Sequence, residues 1–327
     1  MPGKVALVII FNHRYDKNIA VLERLYRDRF PDIYYLVPFY DGDHPGVIPV
    51  YQNSYQYQGY IAQGFRSYFD DAFEHYLFIA DDLLLHPAID ASNYKKHFGL
   101  APDASFIPEP FEAHDLHNNE TLWFETYRRK GANKFYWWRL IDLARYRHGV
   151  EGLENSAEMP TCEEAKTLLE AHGYKVQPLK FTNLYGPFPS VFGQTERGKS
   201  VFRYLKCLRH YRPEYRIGYP AVASFSDIAI VSKRAIRKFA HYCGVFAANG
   251  LFVEFALPTA LLLASEKVVT EPTLGKRGSI HWAYTEAEAA RLEQFMKPYG
   301  NELHCLMENF PADKLYIHPI KLSRWKA

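Results

Sequence analysis

Cysteine is scarce in this 327-residue chain, and its four copies (Cys162, Cys207, Cys243 and Cys305) form neither a C-x-x-C pair nor a zinc-ligand spacing. That excludes a disulfide-stapled framework and reads as reduced thiols in a cytosolic protein. A surplus of one charge is also missing. The formal net charge is +2, against the strongly basic face that a general nucleic-acid binder needs. Long apolar runs are absent as well. The longest, residues 251–264, is interrupted by Glu254 and Pro258 and falls short of the about 20 residues of a membrane span. Residues 5–11 are too short, and wrongly flanked, for a secretory signal, so the expected location is the cytoplasm. No G-x-G-x-x-G follows the first apolar run, and no G-x-S-x-G or H-E-x-x-H occurs anywhere; G-x-x-x-x-G-K-[ST] occurs once, at Gly193–Ser200, within the stretch read below as a long loop. A dinucleotide fingerprint, a hydrolase elbow and a zincin are thereby disfavoured, and so is a P-loop, because its motif needs a strand before it and a helix after it rather than a long loop. There is no internal repeat.

Aromatic residues, by contrast, are abundant, at 16% of the chain. Such a surplus suits sites that stack flat ligands or sugar rings, although a Tyr/Phe-rich core accounts for most of it. The segment around which the rest is organised is Tyr76-Leu-Phe-Ile-Ala-Asp-Asp-Leu-Leu-Leu-His86. A short apolar run bounded by polarity reads as a buried strand, which leaves Asp81 and Asp82 at its carboxyl end. Adjacent carboxylates repel unless a cation or hydrogen-bond donors offset them. The pair reads either as a magnesium or manganese site, since those hard cations take carboxylate and phosphate oxygens together, or as a helix cap beside a solvated aspartate.

Taken in order, residues 4–11 form another buried strand, broken at Asn12-His13. Asp16 then caps a helix with Ile19, Leu22, Leu25 and Tyr26 on one face. Strands follow over 33–39, closing on Asp41 and Asp43, and over 47–51. Ile61, Phe65, Phe69 and Phe73 mark a second helix before the Asp81/Asp82 strand. Strand–helix alternation predicts an α/β fold with a mostly parallel sheet flanked by helices. In such a sheet the polar clusters Asn12/His13, Asp41/Asp43 and Asp81/Asp82 converge on one edge, where ligands bind.

The middle of the chain is less regular. Residues 118–139 interleave aromatics with Arg and Lys, as in an acceptor platform or in a core-facing helix with a basic outer face. Thr161-x-x-Glu164 is a capping box for a helix ending at Gly173. Residues 177–200 read as a long loop. The basic stretch 199–216 reads as a solvated face or as a contact with phosphates or a membrane surface. Later, Ser226-Asp227 precedes an apolar strand, and a helix is predicted over 233–242. Glu254 sits alone among apolar residues, costly unless paired or functional, and suits a general base. Lys276, Arg277 and His281 surround a glycine turn that could hold a diphosphate or, through His281, a metal. Thr285-x-x-Glu288 opens a further helix, and the basic tail packs back on the domain.

Three of these places, in this order, resemble the GT-A glycosyltransferases. Val5-Ala-Leu-Val-Ile-Ile-Phe-Asn12 is similar to their first strand and nucleotide loop, and Phe78-Ile-Ala-Asp-Asp82 to the strand ending in their DxD motif. Phe252-Val-Glu254, after Ser226-Asp227, is similar to their acceptor-side acidic segment. The resemblance implies a Rossmann-like GT-A domain with a nucleotide-binding half (1–90), an irregular insertion (91–218) and an acceptor half with C-terminal helices (219–327). It implies a nucleotide-sugar donor, a Mn²⁺ or Mg²⁺ cofactor and a glycan or lipid-linked glycan acceptor. Asp82 takes the metal-binding position and Asp81 the middle one near the ribose, with Asn12, His13, Asp41, Lys276 and Arg277 around the nucleotide. Glu254 is the base of an inverting transfer with Asp227 beside it, and His281 is a late metal ligand. Ala80 stands where the first Asp of DxD belongs. The competing classes are a nucleotidyltransferase acting on a sugar phosphate, disfavoured because Asn12-His13-Arg14 holds no glycine, and a carbohydrate-binding protein with a decayed site.

Overall fold

The structure, a computed structural model, describes residues 4–112, 159–175, 219–281 and 286–326. The platform at 118–139, the loop at 177–200, the basic stretch 199–216, Cys207 and Thr285 lie outside the described residues. In chain order the elements are β1 (Lys4–Ile10), α1 (Lys17–Tyr26), β2 (Asp32–Pro38), β3 (Val47–Val50), α2 (Gln58–Tyr68), β4 (Phe73–Ala80), β5 (Leu84–Leu85), α3 (Tyr94–His97), β6 (Ala104–Ile107), β7 (Phe111–Glu112) and α4 (Cys162–Ala171). They continue with β8 (Val222–Ala223), β9 (Ile228–Ser232), α5 (Ile236–Ala248), α6 (Val253–Ala264), β10 (Lys267–Thr270), β11 (Arg277–Ile280), α7 (Glu286–Met296), α8 (Leu303–Glu308) and β12 (Lys314–His318).

Seven strands form the central sheet in the order β10-β6-β9-β4-β1-β2-β3. β4, β1, β2 and β3 pair in parallel, as do β6 and β10, while β9 runs against both of its neighbours. The fold is mixed α/β with a mostly parallel sheet, compatible with a Rossmann-like arrangement. β1 and β4 read as unbroken apolar runs because both faces of the sheet are covered. Alternate side chains enter different cores. Ala6, Val8, Tyr76 and Phe78 face the helices α2, α5 and α6. Val5, Leu7, Leu77 and Ile79 face α1, α8 and a small second sheet, β11-β12-β5.

Several predicted boundaries move. The second helix stops at Tyr68, Phe69 is its extended cap, and Phe73 begins β4. Asp70 and Asp71 separate the two, and Asp70 caps that turn by accepting from the Ala72 N–H at 2.8 Å. The helix predicted over 233–242 begins at Ile236 and runs on to Ala248, through Gly244. β6, within the stretch read as irregular, belongs to the central sheet. The capping box at Thr161 forms in full, and Gly173 takes the left-handed φ of +91° that ends the helix.

Gly244 survives inside a helix because α2 and α5 pack backbone to backbone. A Cβ on Gly244 would meet Ala62 Cβ at 3.0 Å, and one on Gly59 would meet Ala247 Cβ at 2.9 Å. Gly59→Val should therefore force the helices apart and cost about 1–3 kcal/mol. The measurement is chemical denaturation, with Gly46→Ala, whose Cβ would find ordinary contact distances, as the comparison.

Candidate active site

The site is built at the carboxyl edge of β1, β2 and β4. The chain winds from β1 outward to β2 and β3 and then returns to β4 on the other side, so the crevice between β1 and β4 is the point where the winding reverses, the usual ligand position in such sheets. Because β9 is reversed, its beginning lies at that same edge. Ile228 sits opposite Ile79, and the Ala80 N–H donates to the Asp227 carbonyl at 2.8 Å. Asp81, Asp82 and Asp227 are thus neighbours by strand register.

A fourth residue joins them, one that sequence reasoning missed. β12 pairs antiparallel with β5, Ile317 opposite Leu84, and so delivers His318 to the two acids. His318 Nε2 lies 3.1 Å from Asp82 Oδ1 and 3.4 Å from Asp227 Oδ1, with its ring almost fully buried. The Ile320 N–H donates to the Asp82 carbonyl at 2.6 Å and fixes the backbone beyond. Burial alone would push the imidazole down, but the charges of Asp227, then Asp82, then Asp81 outweigh it and raise its pKa to about 9. Burial in turn raises the Asp227 carboxyl, with His318 opposing it. His318 is therefore the proton-holding member of the cluster at neutral pH.

Asp81 turns away from this cluster. Nearly buried, it accepts from Asn18 Nδ2 at 3.3 Å and from the Asn12 N–H at 3.4 Å. Burial and the Asp82 charge exceed that help and lift its pKa to about 7. It ties the loop after β1 to the end of β4. α1 braces the segment that follows. Tyr26 donates its hydroxyl to the Leu83 carbonyl and accepts from the Leu85 N–H, while Arg29 Nη1 donates to the carbonyls of His86, Pro87 and Ile89.

Glu254 lies half-buried in the first turn of α6, where free N–H groups favour a carboxylate. Pro258 sits four residues on and has no N–H for the Glu254 carbonyl. That carbonyl instead accepts from the Ser224 N–H at 3.1 Å. Thr259 Oγ1 accepts from the Val222 N–H and donates back to the Val222 carbonyl, so the helix is stitched to the strand leading toward Asp227. Tyr57, also missed, donates its buried hydroxyl to the Ser226 carbonyl. Burial, then the charges of Asp227 and Glu254, push that phenol well up.

The remaining predicted residues are dispersed. His13 and Tyr15 are exposed and meet edge to face. Arg14 pairs with Asp41 and Asp16 and donates to the Phe39 carbonyl at 3.2 Å. Its hydrogen bond, then its charge, hold Asp41's carboxyl below the usual range. Phe39 itself takes a φ of 54°, rare for a bulky residue, with its ring 59% exposed against Tyr51. Lys276 and Arg277 stand at the start of β11, whereas His318 pairs with Ile280 at its end. They are on the order of 10 Å along the strand from the acid cluster. His281 gives its N–H to the His318 carbonyl at 2.7 Å, but its ring is held by Ser279 and stacked on Phe295. The imidazole beside Asp82 is that of His318.

Among the described residues, no group of three or more His, Cys, Asp or Glu side chains is spaced to hold a metal ion as it stands. The donor chemistry still fits one. Asp227 Oδ2 is buried and accepts no hydrogen bond among the described residues, and the buried Asp82 Oδ1 faces the His318 ring at 3.1 Å. Two carboxylates with an imidazole nitrogen are a set that manganese accepts. The cluster is closed by the His318 proton, and a divalent cation would displace that proton. No described helix is long and apolar enough to cross a membrane.

The protonation pattern predicts a pH dependence. With the His318 pKa raised from 6.5 to about 9, its stabilising contribution is fully present below pH 6.5 and is lost as the pH climbs to 9, on the order of 3 kcal/mol for a shift of this size. Asp81, raised to about 7, adds a decline over the acid range up to pH 7. Metal-free protein should therefore lose thermal stability steadily from pH 6.5 to 9. His318→Gln should be less stable at pH 6.5 and show a flatter profile above pH 7, as read by thermal melts in EDTA. No family model and no curated protein sequence matches the chain.

Proposed function

We propose that the protein is a GT-A-type glycosyltransferase, moving a sugar from a nucleotide-sugar donor to a glycan or glycoconjugate acceptor. The meeting of Asp82, Asp227 and His318 beside the β1–β4 crevice carries this reading. Paired acids with an imidazole at a strand-end crevice are suited to a phosphate-bearing ligand and its cation. Asp82, His318 and Asp227 are the residues that would hold Mn²⁺ or Mg²⁺, which when bound supplies positive charge against a leaving diphosphate.

The chain's own groups supply the rest. The exposed rings of Tyr15, Phe39 and Tyr51, at the ends of the first three strands, offer apolar faces for a nucleobase. Arg14 fixes Phe39 through its carbonyl. Glu254 serves as the base, taking the acceptor hydroxyl proton while that oxygen attacks the anomeric carbon, through a transition state of oxocarbenium character. Tyr57, clamped to the Ser226 carbonyl, keeps the wall between Glu254 and Asp227 in place. Inversion follows from a single displacement with one base.

A panel of UDP-, GDP- and CMP-sugars with Mn²⁺ tests the reading. One donor should be hydrolysed slowly and raise the melting temperature. Asp82→Asn should abolish both effects. Glu254→Gln should lower kcat by about a hundredfold to ten-thousandfold with donor binding unchanged, and Phe39→Ala should weaken donor binding with kcat retained. Pyrophosphate release from a nucleoside triphosphate and a sugar phosphate would favour nucleotidyl transfer. Failure of every donor to bind would sink the proposal.

A further inference from the structure

An open groove of about 1210 Å³ begins at Asp82 and runs between the end of α7 and the C-terminal tail. Lys297, Lys321, Arg324 and Trp325 line it, with Glu293 as the one acid besides Asp82. The three cations are exposed, and none makes an ion pair among the described residues. What sets them apart from the other surface cations is that all three line one concave wall. Cations gathered on a concave wall and left without counter-ions are an electrostatic footprint for an anion.

The groove is pre-built at both ends. The Ile320 N–H is fixed to the Asp82 carbonyl. At the far end the Lys326 N–H donates to the Asn301 carbonyl at 2.8 Å, and the Leu303 N–H to the Lys326 carbonyl at 2.9 Å. Trp325 is half-buried against the core and adds an indole surface suited to a sugar or polyol face. At this volume the groove exceeds the usual small-ligand pocket of about 300–1,000 Å³.

We infer that this groove seats an acceptor that carries a phosphate group, with the phosphate on Lys297, Lys321 and Arg324 and the attacking hydroxyl at the Asp82 end. This rests on the glycosyltransferase reading for the word acceptor, while the anion site stands on the groove alone. Two sources share the chemistry: a soluble sugar phosphate and a phosphate-linked lipid.

The experiment measures binding to the full chain by calorimetry, with glucose 6-phosphate, with glucose, and with phosphatidylcholine vesicles with and without phosphatidylglycerol. One anionic probe, glucose 6-phosphate or the phosphatidylglycerol vesicles, should bind saturably while its counterpart without net charge, glucose or the zwitterionic phosphatidylcholine vesicles, does not, and Lys321→Ala/Arg324→Ala should weaken that binding at least about tenfold. The two substituted positions are exposed, and an unchanged melting temperature verifies the fold. Asp82→Asn should leave phosphate binding intact. Which arm binds identifies the source. The inference is overturned if neither anionic probe saturates, if the double substitution leaves their binding unchanged, or if it instead abolishes UDP–Mn²⁺ binding. The donor reading falls separately, when no nucleotide binds the unsubstituted chain.

Discussion

Two carboxylates within 3.4 Å of a single buried imidazole nitrogen form the interaction on which the rest of the structure depends. Ions taken out of water cost several kcal/mol each unless they meet an opposite charge at close range. His318 supplies that charge. It must therefore reach the acids, which requires β12 to lie against β5 and the tail to fold back past Asp82. The acids must also reach each other, which requires the reversed strand β9 to begin where β4 ends. The arrangement of strands and the electrostatics of the site are one constraint seen at two scales.

α1 extends that constraint into the neighbouring loops. Asn18 near its beginning holds Asp81, Tyr26 at its end holds Leu83 and Leu85, and Arg29 just beyond it gathers three carbonyls of the loop leading to α3. The brace explains why Leu83, Leu84 and Leu85 stay buried directly after two aspartates. It also separates the roles of the pair. Asp81 is committed to the protein interior, and Asp82 is left facing the groove.

Much of this frame is legible in the residues. β1 and β4 announce themselves as apolar runs because both of their faces are covered, and Asn12, Asp81, Asp82 and Asp227 meet as strand-end residues should. The same rule applied to Leu315-Tyr-Ile-His318, a short apolar run closing on a polar residue, would have pointed to His318 in place of His281. The two lie on adjoining parallel strands in nearly matched register, so their order along the chain conceals which ring faces the acids. Tyr57 left no trace in the sequence, because a buried tyrosine bonded to a backbone carbonyl looks like any core aromatic. Asp41, read as ligand-facing, is satisfied by Arg14. Phe39 escaped notice because an unusual backbone angle has no compositional signature.

Pro258 has a consequence beyond its own helix. By leaving the Glu254 carbonyl without an internal donor, it creates a single acceptor that Ser224 must find. That bond acts as a key in a keyway: if α6 slid or rotated by one residue, an ordinary hydrogen-bonded carbonyl would stand opposite the Ser224 donor, and both partners would be stranded. The angular setting of the Glu254 side chain is thereby indexed to the segment that leads to Asp227, so two acids 27 residues apart in the chain, with β9 and α5 between them, keep a constant phase.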